Sequence, residues 1–205
     1  MLDTKNLFFL QIGAHDGYSD DPLHPFITKY NLKGICVEPQ PDAFKRLQET
    51  YKEYLNVKCV NTLIGEKDMP FYVIKEHIKN DENWKRMTRI SSFNKEMVKI
   101  SLKNKIPAGA DPEDYIERIM LPTMSFQDLV NKEKIEKIDF LQIDAEGYDF
   151  EILKTVNLDK FKPKIINLES THFSDKTREL YENLLGENGY KFFRDKVDTC
   201  AYKIN

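Results

Sequence analysis

The sequence predicts an α/β protein with a doubly wound, Rossmann-like fold: a seven-stranded, mostly parallel sheet with an antiparallel C-terminal edge. Three observations carry this. Short apolar runs alternate with amphipathic stretches along most of the chain. The first run, Leu7 to Ile12, breaks into the turn Gly13-Ala-His-Asp-Gly17. The second, Gly34 to Val37, ends in an acid, Glu38. The 205 residues suit one domain with a sizeable core, so 1–205 is read as a single unit.

The elements follow in order. After the first strand, Asp21 and Pro22 open a helix whose apolar stripe is Leu23, Phe26, Ile27 and Tyr30. The second strand leads to a helix from Pro41-Asp42 that buries Phe44, Leu47 and Tyr51. Val57 to Val60 forms the third strand, and Met69 to Ile74 pairs nearby. Residues 75–121 then break the rhythm. They are polar, with weak helical stretches at Ser92–Leu102 and Asp111–Met120, and their length marks an insertion of the kind that serves as a lid or substrate loop. Alternation resumes at Ser125-Phe-Gln-Asp128, a helix start of capping-box type. Strand Ile138–Ile143, helix Asp149–Val156, strand Lys164–Leu168 and helix Ser174–Leu185 follow, the last with Leu180, Tyr181, Leu184 and Leu185 inward. Tyr190–Phe193 and Thr199–Ile204 close the chain as a hairpin at the sheet edge.

Composition excludes several classes. A net charge of −3 and a pI near 5.9 argue against a nucleic-acid partner. No run reaches the roughly eighteen apolar residues of a membrane span. No secretory signal is visible, and Cys36, Cys59 and Cys200 lie apart in apolar runs, so the expected compartment is the reducing cytoplasm.

Doubly wound sheets bind ligands at the carboxyl ends of their strands. Gly13, His15, Asp16 and Gly17 fall there, as do Glu38, Asn61, Asp144, Glu146, Glu169 and His172. Glu38 is placed to take ribose hydroxyls. The turn before it is G-x-x-x-G, not the G-x-G-x-x-G that cradles a pyrophosphate, and Asp16 inside it would repel phosphate. A cofactor with a sulfonium and an ammonium tolerates that carboxylate, so the turn favours S-adenosyl-L-methionine over NAD. Gly13 admits close backbone approach, Gly17 lets the following helix pack near, and Asn61 is the candidate for the adenine amine. Asp144 and Glu146 are candidate bases for deprotonating a hydroxyl, with His172 a competing candidate. Asp144, Glu169 and His172 also have the chemistry of a divalent-metal set, a weaker alternative, and no metal is expected. The acidic Asp144-Ala-Glu-Gly147 turn also lacks the Pro-Pro-aromatic pattern that holds exocyclic amines. An NAD(P)-linked oxidoreductase and a noncatalytic nucleoside-binding module remain as alternatives.

Six segments together resemble the FkbM family of S-adenosylmethionine-dependent methyltransferases. They are Gln11–Gly17, Val37-Glu-Pro39, Ile90-Ser-Ser-Phe93, Thr123–Leu129, Ile143–Gly147 and Ile166-Asn-Leu-Glu169. The resemblance implies the class I methyltransferase fold and methyl transfer to oxygen, with sugars or natural-product hydroxyls as small-molecule acceptors. It adds Gln11, Ala14, Pro39 and Ser91 or Ser92 to the candidate cofactor site. It also exposes a departure: Gln11 stands where the family often has an acid, which shifts weight onto Asp16.

Overall fold

The computed structural model describes residues 6–65, 69–75, 90–171 and 173–203. Its main sheet contains β1 (Phe8–Ile12), β2 (Lys33–Val37), β3 (Val57–Val60), β8 (Phe140–Ile143), β9 (Ile165–Glu169), β10 (Lys191–Arg194) and β11 (Asp198–Tyr202). The seven strands lie in the order β10-β11-β9-β8-β1-β2-β3. β1 pairs in parallel with both β2 and β8, so strand order reverses there. The crevice beside β1 is where a doubly wound sheet receives its ligand.

β11 is antiparallel to both β9 and β10. The expected C-terminal hairpin therefore forms, and its second strand, not its first, sits against the parallel sheet.

Side chains alternate across the sheet. Leu10, Ile12, Ile35, Val37, Leu141 and Ile143 point to one face, under α4 (Phe126–Glu133), α5 (Asp149–Thr155) and α7 (Asp175–Glu187). Phe9 and Cys36 point to the other, under α1 (His24–Tyr30) and α2 (Pro41–Tyr51). One lateral row on this second face is polar. Gln11, Gln142 and Asn167 are register partners on β1, β8 and β9, flanked by Cys36 and Cys200.

Several expectations need correction. α1 starts only at His24; Asp21 accepts the backbone N–H groups of Leu23 and His24 one turn earlier. Ile27 alone of its stripe is buried, while Phe26 and Tyr30 are 54% and 42% exposed. Seven residues make two turns, too short to turn the whole stripe inward. On α7, Tyr181 and Leu185 are buried, but Leu180, 51% exposed, lies off their face. The Asp111–Met120 stretch is a 3₁₀ turn, Pro112–Tyr115, followed by strand β6 (Ile116–Ile119). β6 pairs with β5 (Phe71–Ile74), so this part of the insertion is a small antiparallel sheet. Its helix α3 (Lys95–Leu102) buries Val98 and Leu102 against Ile74, Ile90 and Ile116. β4 (Leu63–Ile64) and β7 (Thr123–Met124) clasp the two ends of the excursion in parallel. The remaining short helix, α6, spans Leu158–Phe161.

Candidate active site

A cavity of about 290 Å³ opens over the carboxyl ends of β1, β2, β8 and β9. Its position follows from the strand reversal, and its shape from two tight turns. After β1, Gly13 takes φ +82° and its Cα faces the carbonyl oxygen of Asp144; a Cβ there would lie 1.7 Å from that oxygen. Only glycine lets these two loops touch. After β8, Glu146 and Gly147 both take positive φ, 49° and 96°. Asp149 fixes this second turn by accepting N–H bonds from Ala145 (2.8 Å) and Gly147 (2.9 Å).

Glu38 is buried at the tip of β2 and lines the cavity. Its carboxylate accepts the N–H groups of His15 and Gln40, each at 2.8 Å. Burial raises its pKa, with the Gln40 N–H bond as the leading opposing effect. Gln11, Gly13, Ala14, His15, Pro39, Asp144 and Glu146 also line the cavity.

The structure places four expected residues elsewhere. Asp16 turns into its own loop and accepts from Ser19 N (2.8 Å), Ser19 Oγ (2.7 Å) and Tyr18 N (3.1 Å). Partial burial pulls its pKa up, but the bonds from His15, Ser19 and Tyr18 outweigh that and hold it well below the usual carboxylate range. Gly17 has φ +66° and packs against Leu47 and Tyr51, away from the cavity. Asn61 Nδ2 donates to the carbonyls of Glu38 (2.8 Å) and Pro39 (3.1 Å), bracing the end of β2. Ser92 Oγ donates to the Glu146 carbonyl (2.7 Å), and its neighbours Ser91 and Phe93 face the cavity instead. His172 lies outside the described residues.

The cavity holds residues that the sequence did not single out. Asp21, read only as a cap, accepts from Gln11 Nε2 at 3.0 Å and lines the cavity. The charge missing at position 11 is thus supplied by its neighbour in space. Gln142 and Asp198 line the far side, reached from β8 and from the first residue of β11. The Ser91–Phe93 strap closes the wall. Gln40 Nε2 donates to Ser91 Oγ (3.0 Å), and the Phe93 ring lies 4.3 Å from that of Tyr148.

The charge is one-sided. Among the described residues, Asp20, Asp21, Glu38, Asp144, Glu146, Glu169 and Asp198 line the cavity, with no lysine or arginine. Asp144 opens onto the cavity but is ringed by protein; lost solvation first, then the charge of Glu169, pushes its pKa up to about 7. Glu146 is pushed up to about 9, by burial and then by Asp144. Glu169 rises to about 7 through burial and the charge of Asp149. Asp149 also rises to about 7, because burial outweighs its two N–H bonds. Carboxylate oxygens of Asp144, Asp149 and Glu169 lie within 4.8 Å of one another, a spacing compatible with a metal ion. Asp149 also accepts one N–H bond of the turn on each of its oxygens.

Comparison with known proteins agrees with this architecture. Among curated proteins, none matches the sequence. A methyltransferase FkbM from Methylobacillus flagellatus KT shares the fold, with TM-score 0.55 and 14% identity over 98% of this chain and 44% of that one. A precorrin-6y C5,15-methyltransferase from Geobacter metallireducens GS-15 aligns with TM-score 0.49 and 12% identity, over 98% of this chain and 81% of that one. An O-methyltransferase from Bacillus cereus, solved in complex with SAH, aligns with TM-score 0.46 and 11% identity, over 96% and 74%. The Methyltransferase FkbM domain pattern matches residues 11–192, from the amide at the end of β1 to the C-terminal hairpin. The chain belongs to the FkbM methyltransferase family.

Proposed function

We propose that this methyltransferase uses S-adenosylmethionine to methylate a hydroxyl group of a small, carbohydrate-like molecule. The observation that carries the reading is Glu38: a buried carboxylate at the tip of the strand beside the reversal, facing a cavity whose first loop has no room for a Cβ at Gly13. That pairing fits a nucleoside with its attached amino acid. Bound there, S-adenosylmethionine supplies a methyl group on a positively charged sulfur.

The chain's own residues do the rest. Glu38 holds the ribose hydroxyls. The Asp21–Gln11 pair holds the ammonium end. Asp144 takes the acceptor hydroxyl's proton as its oxygen gains the methyl group. At neutral pH Glu146 stays protonated and donates a hydrogen bond, because burial holds its pKa at about 9. A cavity walled by carboxylates, with no lysine or arginine among the described residues, disfavours nucleic acid and other anionic acceptors. Three free cysteines fit a reducing, cytoplasmic setting. No described helix is long and apolar enough to cross a membrane.

Calorimetric titration with S-adenosylhomocysteine tests the cofactor. The parent is expected to bind it and not NAD. Glu38→Ala should weaken binding about tenfold or more, from loss of a charged hydrogen-bond partner. Equal affinities in two proteins of equal melting temperature would reduce Glu38 to a brace for the His15 and Gln40 N–H groups.

We also propose that the 75–121 insertion acts as a lid; its residues 76–89 lie outside the described residues, and Ser91 and Ser92 beyond them bond Gln40 and the Glu146 carbonyl. Limited proteolysis of the free protein should cut preferentially within it, and S-adenosylhomocysteine should protect it. Equal resistance in both states would make the insertion a rigid wall.

A further inference from the structure

Gln142 is about 95% buried by its 5% relative exposure, yet it lines the cavity. Its hydrogen bonding fixes which way its amide points. Asp198 Oδ2 accepts from Asn167 at 2.9 Å, and a carboxylate accepts only from the Asn167 nitrogen. That same nitrogen donates to Gln142 Oε1 at 3.3 Å. The Gln142 oxygen therefore faces Asn167. Its –NH₂ group has no hydrogen-bond partner among the described residues. That nitrogen belongs to a side chain that lines the cavity, so it is a donor open to an acceptor atom of a ligand there.

The location identifies the ligand. The ribose acid and the glycine turn serve the β1–β2 side of the reversal, whereas Gln142, Glu169 and Asp198 serve the β8–β9 side. Gln11, the register partner of Gln142, has its own –NH₂ group taken by Asp21. The two amides thus face different tasks. Beside the Gln142 donor stand the acceptors Asp198 and Glu169, and Asp144 two residues further along. A hydroxyl group both accepts and donates, and a donor flanked by carboxylates satisfies adjacent hydroxyls in both senses.

We propose that Gln142 and Asp198 form the acceptor subsite, gripping neighbouring hydroxyls of a neutral or cationic polyol and presenting one of them to Asp144. This rests on the methyl-transfer reading above. Gln142 is here a positioning residue that sets specificity.

The test uses the full chain saturated with S-adenosylhomocysteine and three probes: methyl α-D-glucopyranoside, D-glucosamine and D-glucuronate. The side-chain –NH₂ resonances of Gln142 are assigned by their loss in Gln142→Leu. Expected is a shift of those resonances with the neutral and cationic sugars at millimolar concentration. The uronate should bind about tenfold more weakly or worse, from like-charge repulsion. In Gln142→Leu and Gln142→Glu, sugar affinity should fall about tenfold, while S-adenosylhomocysteine affinity stays within about threefold. Melting temperatures show whether each variant is folded, and the glutamate keeps the side chain's shape where leucine does not. The proposal is overturned if S-adenosylhomocysteine alone shifts the resonances and both variants lose it, which makes Gln142 a cofactor residue. It is also overturned if S-adenosylhomocysteine binds and no sugar shifts them, which leaves the methyl-transfer reading standing. Failure of S-adenosylhomocysteine to bind the parent at all removes both.

Discussion

Gly13→Ala is expected to abolish S-adenosylhomocysteine binding and to destabilise the protein by about 2–5 kcal/mol. Two costs combine. The residue sits at φ +82°, where a side chain costs about 1–2 kcal/mol. The new methyl group would also lie 1.7 Å from the Asp144 carbonyl oxygen, so the loops after β1 and β8 must separate, at about 1–3 kcal/mol for overpacking. The second cost falls on the site itself, because those loops carry His15 on one side and Asp144 and Glu146 on the other. Gly109→Ala isolates the first cost. Gly109 has φ +86° but nothing within 4 Å of an added Cβ, so its alanine variant should lose only about 1–2 kcal/mol and keep full affinity. Chemical denaturation and calorimetry on the two variants decide the matter. If Gly13→Ala behaves like Gly109→Ala, the contact between the two loops does not shape the site.

The same pair of loops shows what the sequence makes legible. Strands that end in charged or glycine-rich turns announce themselves, because an apolar run stopping at Gly13, Glu38 or Asp144 has few alternatives. The parallel sheet, the reversal beside β1 and the C-terminal hairpin follow from that pattern. Side-chain direction within a loop does not. Asp16 and Asn61 stand where cofactor ligands would, yet Asp16 bonds the backbone of its own turn and Asn61 donates to the Glu38 and Pro39 carbonyls at the end of the neighbouring strand. Periodicity also says which residues are apolar, not how much helix exists to bury them. Phe26 and Tyr30 stay exposed because α1 is only seven residues long.

Gln142 was legible by a different signal. Phe9-Leu-Gln-Ile12 and Phe140-Leu-Gln-Ile143 are the same four residues, and the strands they form are direct neighbours in register. A glutamine recurring inside two apolar strands marks a polar row across the sheet face, because buried amides demand partners. Asp21 and Asp198 were hidden for another reason. Asp21 reaches the cavity from a turn and Asp198 from the first residue of an edge-side strand, and neither position belongs to an apolar periodic run that would place it in space.

The acidic wall yields the last expectation. Asp144→Asn should lower methyl-transfer turnover about a hundredfold or more, because the base is lost while the shape is kept. Glu146→Gln should cost far less, since an amide replaces the hydrogen-bond donor that a protonated Glu146 provides. The two variants also separate in a measurement that needs no acceptor. The folded-state pKa values of Asp144, Glu146, Asp149 and Glu169 are raised above the ordinary carboxylate range, to about 7, 9, 7 and 7. The native state thus holds protons that the unfolded chain has released above about pH 4–5. Stability from these groups is full below the unfolded values and is lost as pH rises through 7 toward 9. The melting temperature of the unliganded protein should fall across that range, and each amide variant should flatten the fall. Turnover should move the opposite way, rising through about pH 7 as Asp144 gives up its proton and becomes able to accept another. A parental rate and pH profile in Asp144→Asn would transfer the base to another group, with His172→Ala the next variant to assay. Loss of activity on chelation, with recovery on added magnesium, would instead assign Asp144 and Glu169 to a metal ion.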